Sequence, residues 1–144
     1  MATEILINDG GAPARILPYE AAEAITAGSA CTVDANGKLQ LADTGDAAAK
    51  FAYAGIALVD ADAGAIVSLV TGVGVILNIA CANVNAGIIM MMGAATPGEL
   101  VTATNAATAP KAQAVTLENN SGAGLTKCQT LQGDKLWSTQ LPVY

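Results

Sequence analysis

Residues 65–82 read AIVSLVTGVGVILNIACA, inside a longer stretch with no charged residue between Asp62 and Glu99. The run is long enough to pose a membrane helix. Its composition argues for strands instead. Ser68, Thr71, Gly72, Gly74 and Asn78 interrupt it, and its apolar members are mostly β-branched or interleaved with glycine, which suits a pleated surface. Asp60 and Asp62 flank it with no nearby Lys or Arg, against the charge bias that orients a spanning helix. The run reads as two strands, Ile66–Val70 and Val73–Ala80, with Gly72 and Gly74 at a bend or bulge.

The same grammar extends in both directions: short apolar runs punctuated by Gly, Asn and Asp. Upstream, Glu4–Asn8 reads as a strand stopped by Asp9-Gly10-Gly11, and Ala14–Leu17 as a second between Pro13 and Pro18. Ser29–Val33 and Lys38–Ala42 flank Asp34-Ala35-Asn36-Gly37, whose Asn-Gly step marks a β-hairpin. Tyr53–Val59 precedes the turn Asp60–Gly64. Downstream, Ile88–Met92, Glu99–Thr102, Ala112–Leu117 and Leu125–Leu131 are further strands. The expected class is all-β: a compact β-barrel or β-sandwich, or two related β lobes. An extended N-terminal arm over residues 1–18 precedes a β-rich domain over 19–144.

An internal echo supports two lobes. Ile25-Thr26-Ala27-Gly28, Gly37-Lys38-Leu39 and Gly55–Val59 recur in order as Val84-Asn85-Ala86-Gly87, Gly98-Glu99-Leu100 and Gln113–Leu117. The units span 25–72 and 84–133, at a spacing too long for a short solenoid repeat.

Composition bounds the function. Hydrophobic residues are 53% and charged residues 12% of the chain, about half the usual charged share, so an unusual amount of surface is neutral. Covering it in an assembly is the simplest resolution. Net charge is −6 and the six cations are scattered, which argues against nucleic acid and anionic membranes as partners. The chain has no His, so Ser-His and Cys-His nucleophiles are excluded. Asp60 and Asp62, with Asp43 and Asp46, offer a calcium or acid–base site, or plain turn residues. The run lacks the full calcium-loop pattern, and turn residues are the better reading. Gly72-Val73-Gly74 lacks the third glycine of a phosphate cradle. Met90-Met91-Met92 reads as core filler before adaptable contact surface. Cys31, Cys81 and Cys128 are too widely spaced for a metal motif and read as buried free thiols. No catalytic, cofactor or metal residue is assigned, and no signal peptide is read in the acidic N-terminus.

Ile25–Val33, Gly37-Lys38-Leu39, Ala54-Gly55-Ile56-Ala57 and Ala63–Gly72 together resemble the small capsid decoration, or cement, proteins of tailed bacteriophages, over roughly residues 20–75. The resemblance implies a compact β protein on the outer capsid surface of the virion. It implies a homotrimer that clamps neighbouring subunits of the major capsid protein. Two departures stand out: this chain is longer than a minimal member, and its second half matches only through the internal echo. The N-terminal segment 1–18 and the C-terminal segment Leu136–Tyr144, with Trp137 and Tyr144, are the expected reach to neighbours. Other readings are a tail, fibre or filament subunit, or a ligand-binding β module.

Overall fold

The computed structural model describes residues 5–8, 14–43, 53–72, 74–93, 96–102 and 112–131. These form eleven β-strands and no helix. The strands are β1 (Leu6–Asn8), β2 (Arg15–Glu20), β3 (Ala30–Val33), β4 (Leu39–Leu41), β5 (Tyr53–Ala57), β6 (Ile66–Thr71), β7 (Ile76–Cys81), β8 (Ile89–Met92), β9 (Leu100–Thr102), β10 (Ala112–Thr116) and β11 (Gly124–Thr130). The uncharged run at 65–82 is β6 and β7. No helix of the described residues is long and apolar enough to cross a membrane.

Two sheets form. The first has the order β2-β6-β5-β3-β4, and the second β1-β7-β11-β10-β8-β9. In the second, a parallel pairing of Cys81 with Leu100 joins β7 to β9 and closes five strands into a barrel. The first sheet curls the same way, since Ala21, just past β2, makes a parallel bridge to Leu39 of β4. In each closure an amide just beyond the bridge donates to the partner strand: Ala22 N–H to the Leu39 carbonyl at 2.7 Å, and Ala82 N–H to the Leu100 carbonyl at 2.9 Å.

The pairings of the two sheets repeat residue by residue. Ala30–Ile56 and Cys31–Gly55 in the first correspond to Ile89–Val115 and Met90–Ala114 in the second, every partner advanced by 59 positions (30 to 89, 56 to 115). Even the irregularity recurs, between Cys31 and Thr32 in one pair and between Ala112 and Ala114 in the other. The β5–β6 and β10–β11 pairs keep the same advance, with Ala57–Leu69 answering Thr116–Cys128. For β2 and β7 the advance is 60, since Leu17 and Leu77 face Leu69 and Cys128. For β4 and β9 it is 61 (39 to 100), because the hairpin loop lengthens from residues 34–38 to 93–99.

Alternation along the strands builds two buried clusters. Ala21, Ile25, Cys31, Leu39, Ala57, Ala61, Val67 and Leu69 fill the first barrel. The opposite face of the same strands supplies Ala30, Ile56 and Val70 to a larger cluster with Leu77, Ile79, Met90 and Leu100 of the second lobe. The lobes therefore share one core.

The boundary expected at residue 18 falls inside β2, which pairs with β6 from Arg15 through Glu20. The strand runs through Pro18 for a reason visible in its counterpart. Asn78 sits where Pro18 does (60 positions on) and turns its N–H away from β11, toward the Ile5 carbonyl at 2.8 Å. Pro18 lacks an N–H on the edge of β2 that no other described strand pairs, so no ladder bond among the described residues is lost. Residues 5–8 of the expected arm carry β1, which lies on β7 with Ile5 buried.

Leu69→Ala empties part of the first barrel and is expected to cost about 2–5 kcal/mol. In dilute, monomeric protein Ile66→Ala, three residues away but 66% exposed, is expected to stay within about 0.5 kcal/mol. Urea denaturation of both variants checks the assignment of inward and outward faces.

Candidate interaction surface

Among the acidic candidates, Asp60 holds a turn. Asp60 Oδ1 accepts the Ala27 N–H at 2.8 Å. Fifty-nine positions on, Asn119 Oδ1 accepts the Ala86 N–H at the same 2.8 Å. A neutral amide serves as well as a carboxylate, so the position needs an acceptor oxygen and no charge. Asp34 does similar work in the first hairpin, accepting from Asn36 and Lys38 N–H at 2.8 and 2.9 Å. A shallow depression of about 310 Å3 lies beside Asp60 and Asp62. Asp43 follows β4, away from that turn in sequence, and Asp46 lies outside the described residues. Among the described residues no group of three or more His, Cys, Asp or Glu could hold a metal ion.

Met90, Met92 and the three cysteines are interior. Met90 and Met92 are buried in the shared core and Met91 is half-buried. All three cysteines are free and buried. Cys81 and Cys128 touch across the second barrel at 3.7 Å. Burial pushes the Cys31 thiol from its ordinary 9.0 up to about 12. The Cys128 thiol is raised as well, first by its hydrogen bond with Cys81 and then by burial.

One difference between the lobes escaped sequence reading. Ala57, Ala61 and Val67 of the first barrel become Thr116, Asn120 and Thr126 in the second. Asn120 Nδ2 donates to Thr126 Oγ1 at 2.8 Å, and Thr116 Oγ1 donates to the Asn85 carbonyl at 2.7 Å. The network is internally satisfied and fixes loops to strands. Reading the second half against the first at an offset of 59 is the signal that would have found it.

The outside of the molecule is more informative. Ile7, Ile16, Val59, Ile66, Ile89, Leu117 and Leu125 are large apolar side chains at least two-fifths exposed. Ile66 and Leu125 occupy equivalent positions of the repeat (59 apart), as do Ala30 and Ile89. Leu125 packs on Gly28 of the first lobe, where its Cδ2 fills the place a Cβ would take. Around this contact the Ala80 N–H donates to the Gly28 carbonyl at 2.9 Å and the Ala30 N–H to the Gly98 carbonyl at 2.8 Å. A groove of about 350 Å3 runs beside it, lined by Ala27, Leu41, Pro97 and Leu125 among others. The expected C-terminal contact segment, with Trp137 and Tyr144, lies outside the described residues.

Solved structures that share this fold include the head fiber gp8.5 N base in bacteriophage phi29, with a TM-score of 0.58 over 82% of this chain and 94% of that one. Sequence identity is 11%, so the likeness is one of architecture. No protein-family description matches the chain, and no curated protein matches it in sequence.

In native protein the three thiols are expected to resist Ellman's reagent, and all three to react in guanidinium. Stability is expected to fall as pH rises from about 9 toward 12. Over that window unfolded Cys31 has lost its proton while the folded thiol keeps it, so the folded state binds more protons and high pH favours unfolding, by up to about 1.4 kcal/mol per pH unit. Denaturant titrations at pH 8 and 10.5 check the sign.

Proposed function

We propose that this chain is a non-enzymatic structural protein of a bacteriophage virion. The specific reading is a capsid decoration, or cement, protein. It binds the outer surface of the head as a homotrimer and stabilises contacts between major capsid protein subunits. The observation that carries the reading is the shared architecture with a phage head fiber base, over most of both chains. Composition supports it from the other side. A chain with 12% charged residues and no His is suited to burying neutral surface against a lattice, because interface centres deplete Lys, Glu and Asp. Binding as an oligomer multiplies weak contacts on a repeating surface. No cofactor, metal, nucleic acid or membrane enters the proposal.

A second reading rests on the same neighbour. That protein's description is of a head fiber base, so this chain would be the foot of a projecting fibre. The two readings agree on the head as the site of action and differ in what stands above it.

Purified protein is expected to co-sediment with heads that lack it and to raise the temperature at which those heads release DNA. Failure to co-sediment at saturating protein would reject both readings. Image reconstruction of decorated heads separates them: a low, closed density is expected for cement, and a projection beyond the two lobes for a fibre foot.

A further inference from the structure

The contact between the lobes is one-sided, and the repeat says what its other sides are. The first lobe offers Gly28 and Ala30; the second offers Ala80, the hairpin tip at Gly98, and Leu125. Because the lobes are equivalent, each also carries the half of the contact that the other uses. The second lobe has Gly87 and Ile89 where the first has Gly28 and Ala30. The first lobe has Glu20, Gly37 and Ile66 where the second has Ala80, Gly98 and Leu125.

Among the described residues these unused halves are open. A Cβ at Gly28 would meet Leu125, and one at Gly98 would meet Leu41 at 2.9 Å; at Gly87 and Gly37 it would meet nothing within 4 Å. All four glycines hold positive φ, between +78 and +88, so the backbone shape is the same in the filled and the open sites. Ala30 is fully buried at the lobe contact, whereas its counterpart Ile89 is 44% exposed. Ile66 is 66% exposed, where its counterpart Leu125 has a seat.

We infer that a second copy of this chain occupies these surfaces, head to tail. Ile66 and the Gly37 hairpin tip of one copy sit on Gly87 and Ile89 of the next, reproducing between chains the contact that joins the lobes within one. The Glu20 N–H and the Gly87 carbonyl stand in for the Ala80–Gly28 bond. Pro18, at the position of Asn78, has no N–H to give an added strand, so β2 gains no counterpart of β1 and the contact is made by side chains and the hairpin tip. Such a contact pairs two different patches and therefore builds a ring or an open chain. The inference rests on the self-association proposed above and gives it a surface; the proposed homotrimer is one ring such a contact can close.

The test uses two full-length variants, Ile66→Asp and Ile89→Asp, each at an exposed position and each checked for wild-type circular dichroism. Mass measurement of wild type is expected to give three copies. Each variant is expected to raise the concentration for half-assembly about 30-fold or more, the loss typical of a central contact residue. Mixing the two is the deciding step. Ile66→Asp keeps the Gly87–Ile89 patch and Ile89→Asp keeps the Ile66 patch, so the mixture is expected to form a one-to-one dimer that neither forms alone. A monomeric wild type, variants that keep the wild-type mass, or a mixture that stays monomeric would each overturn the inference. Head co-sedimentation reads out separately: its failure with the mixed dimer intact rejects both readings of the proposed function and leaves the contact between copies standing.

Discussion

Leu125 seated on Gly28 is the contact on which the two-lobed architecture turns. A five-stranded barrel built from Ala, Val, Ile and Leu has a small interior, and the first lobe's interior cluster contains three alanines, Ala21, Ala57 and Ala61. A unit of that size buries too little apolar surface to stand comfortably alone. Part of the outward face of β3, β5 and β6 is therefore buried as well, in one shared cluster where Ala30, Ile56 and Val70 join Leu77, Ile79 and Met90 of the second lobe. Glycine at position 28 allows the approach. Its φ of +88 and missing Cβ leave room for the Leu125 methyl and the nearby Asn78 carbonyl, 3.3 Å from where a Cβ would sit.

From that contact the other properties follow. A chain that repeats a unit and joins the copies through two different patches leaves one of each patch unused. Those patches give a physical home to the neutral surface implied by the composition. The residues first read as candidates have structural roles that fit the same picture: the Asp60 carboxylate has an uncharged stand-in at Asn119, Met90 and Met92 are buried in the core, and the thiols are buried away from solvent.

Local features were legible in the sequence because they are encoded by neighbours in the chain. The Asn36-Gly37 turn, the bend at Gly72 and Gly74, and the strand character of 65–82 all depend on residues within a few positions, and β3, β4, β6 and β7 lie there. The echo at about sixty residues was legible as an order of glycines. Its register, with advances of 59, 60 and 61 in different strands, was not, because small loop insertions blur an alignment that pairing restores. Barrel closure at Ala21–Leu39 and Cys81–Leu100 joins residues about twenty apart with no local signature. Pro18 misled for a related reason: a proline ends a strand only when its missing N–H was needed, and that depends on which edge is free. The interaction surface was the least legible part. Ile66 and Leu125 look alike in sequence, and only the packing on Gly28 distinguishes a filled patch from an open one.

Gly28→Val and Gly87→Val place the same side chain at nearly the same backbone angle, φ +88 and +78. One stands against Leu125 and the Asn78 carbonyl, the other in open space. Chemical denaturation of dilute, monomeric protein compares them with the conformational penalty held in common. Gly28→Val is expected to lose about 2 kcal/mol more than Gly87→Val, the scale of an overpacked buried site. Equal losses would mean that the lobes do not depend on that contact, and that the open patches have no template within the chain.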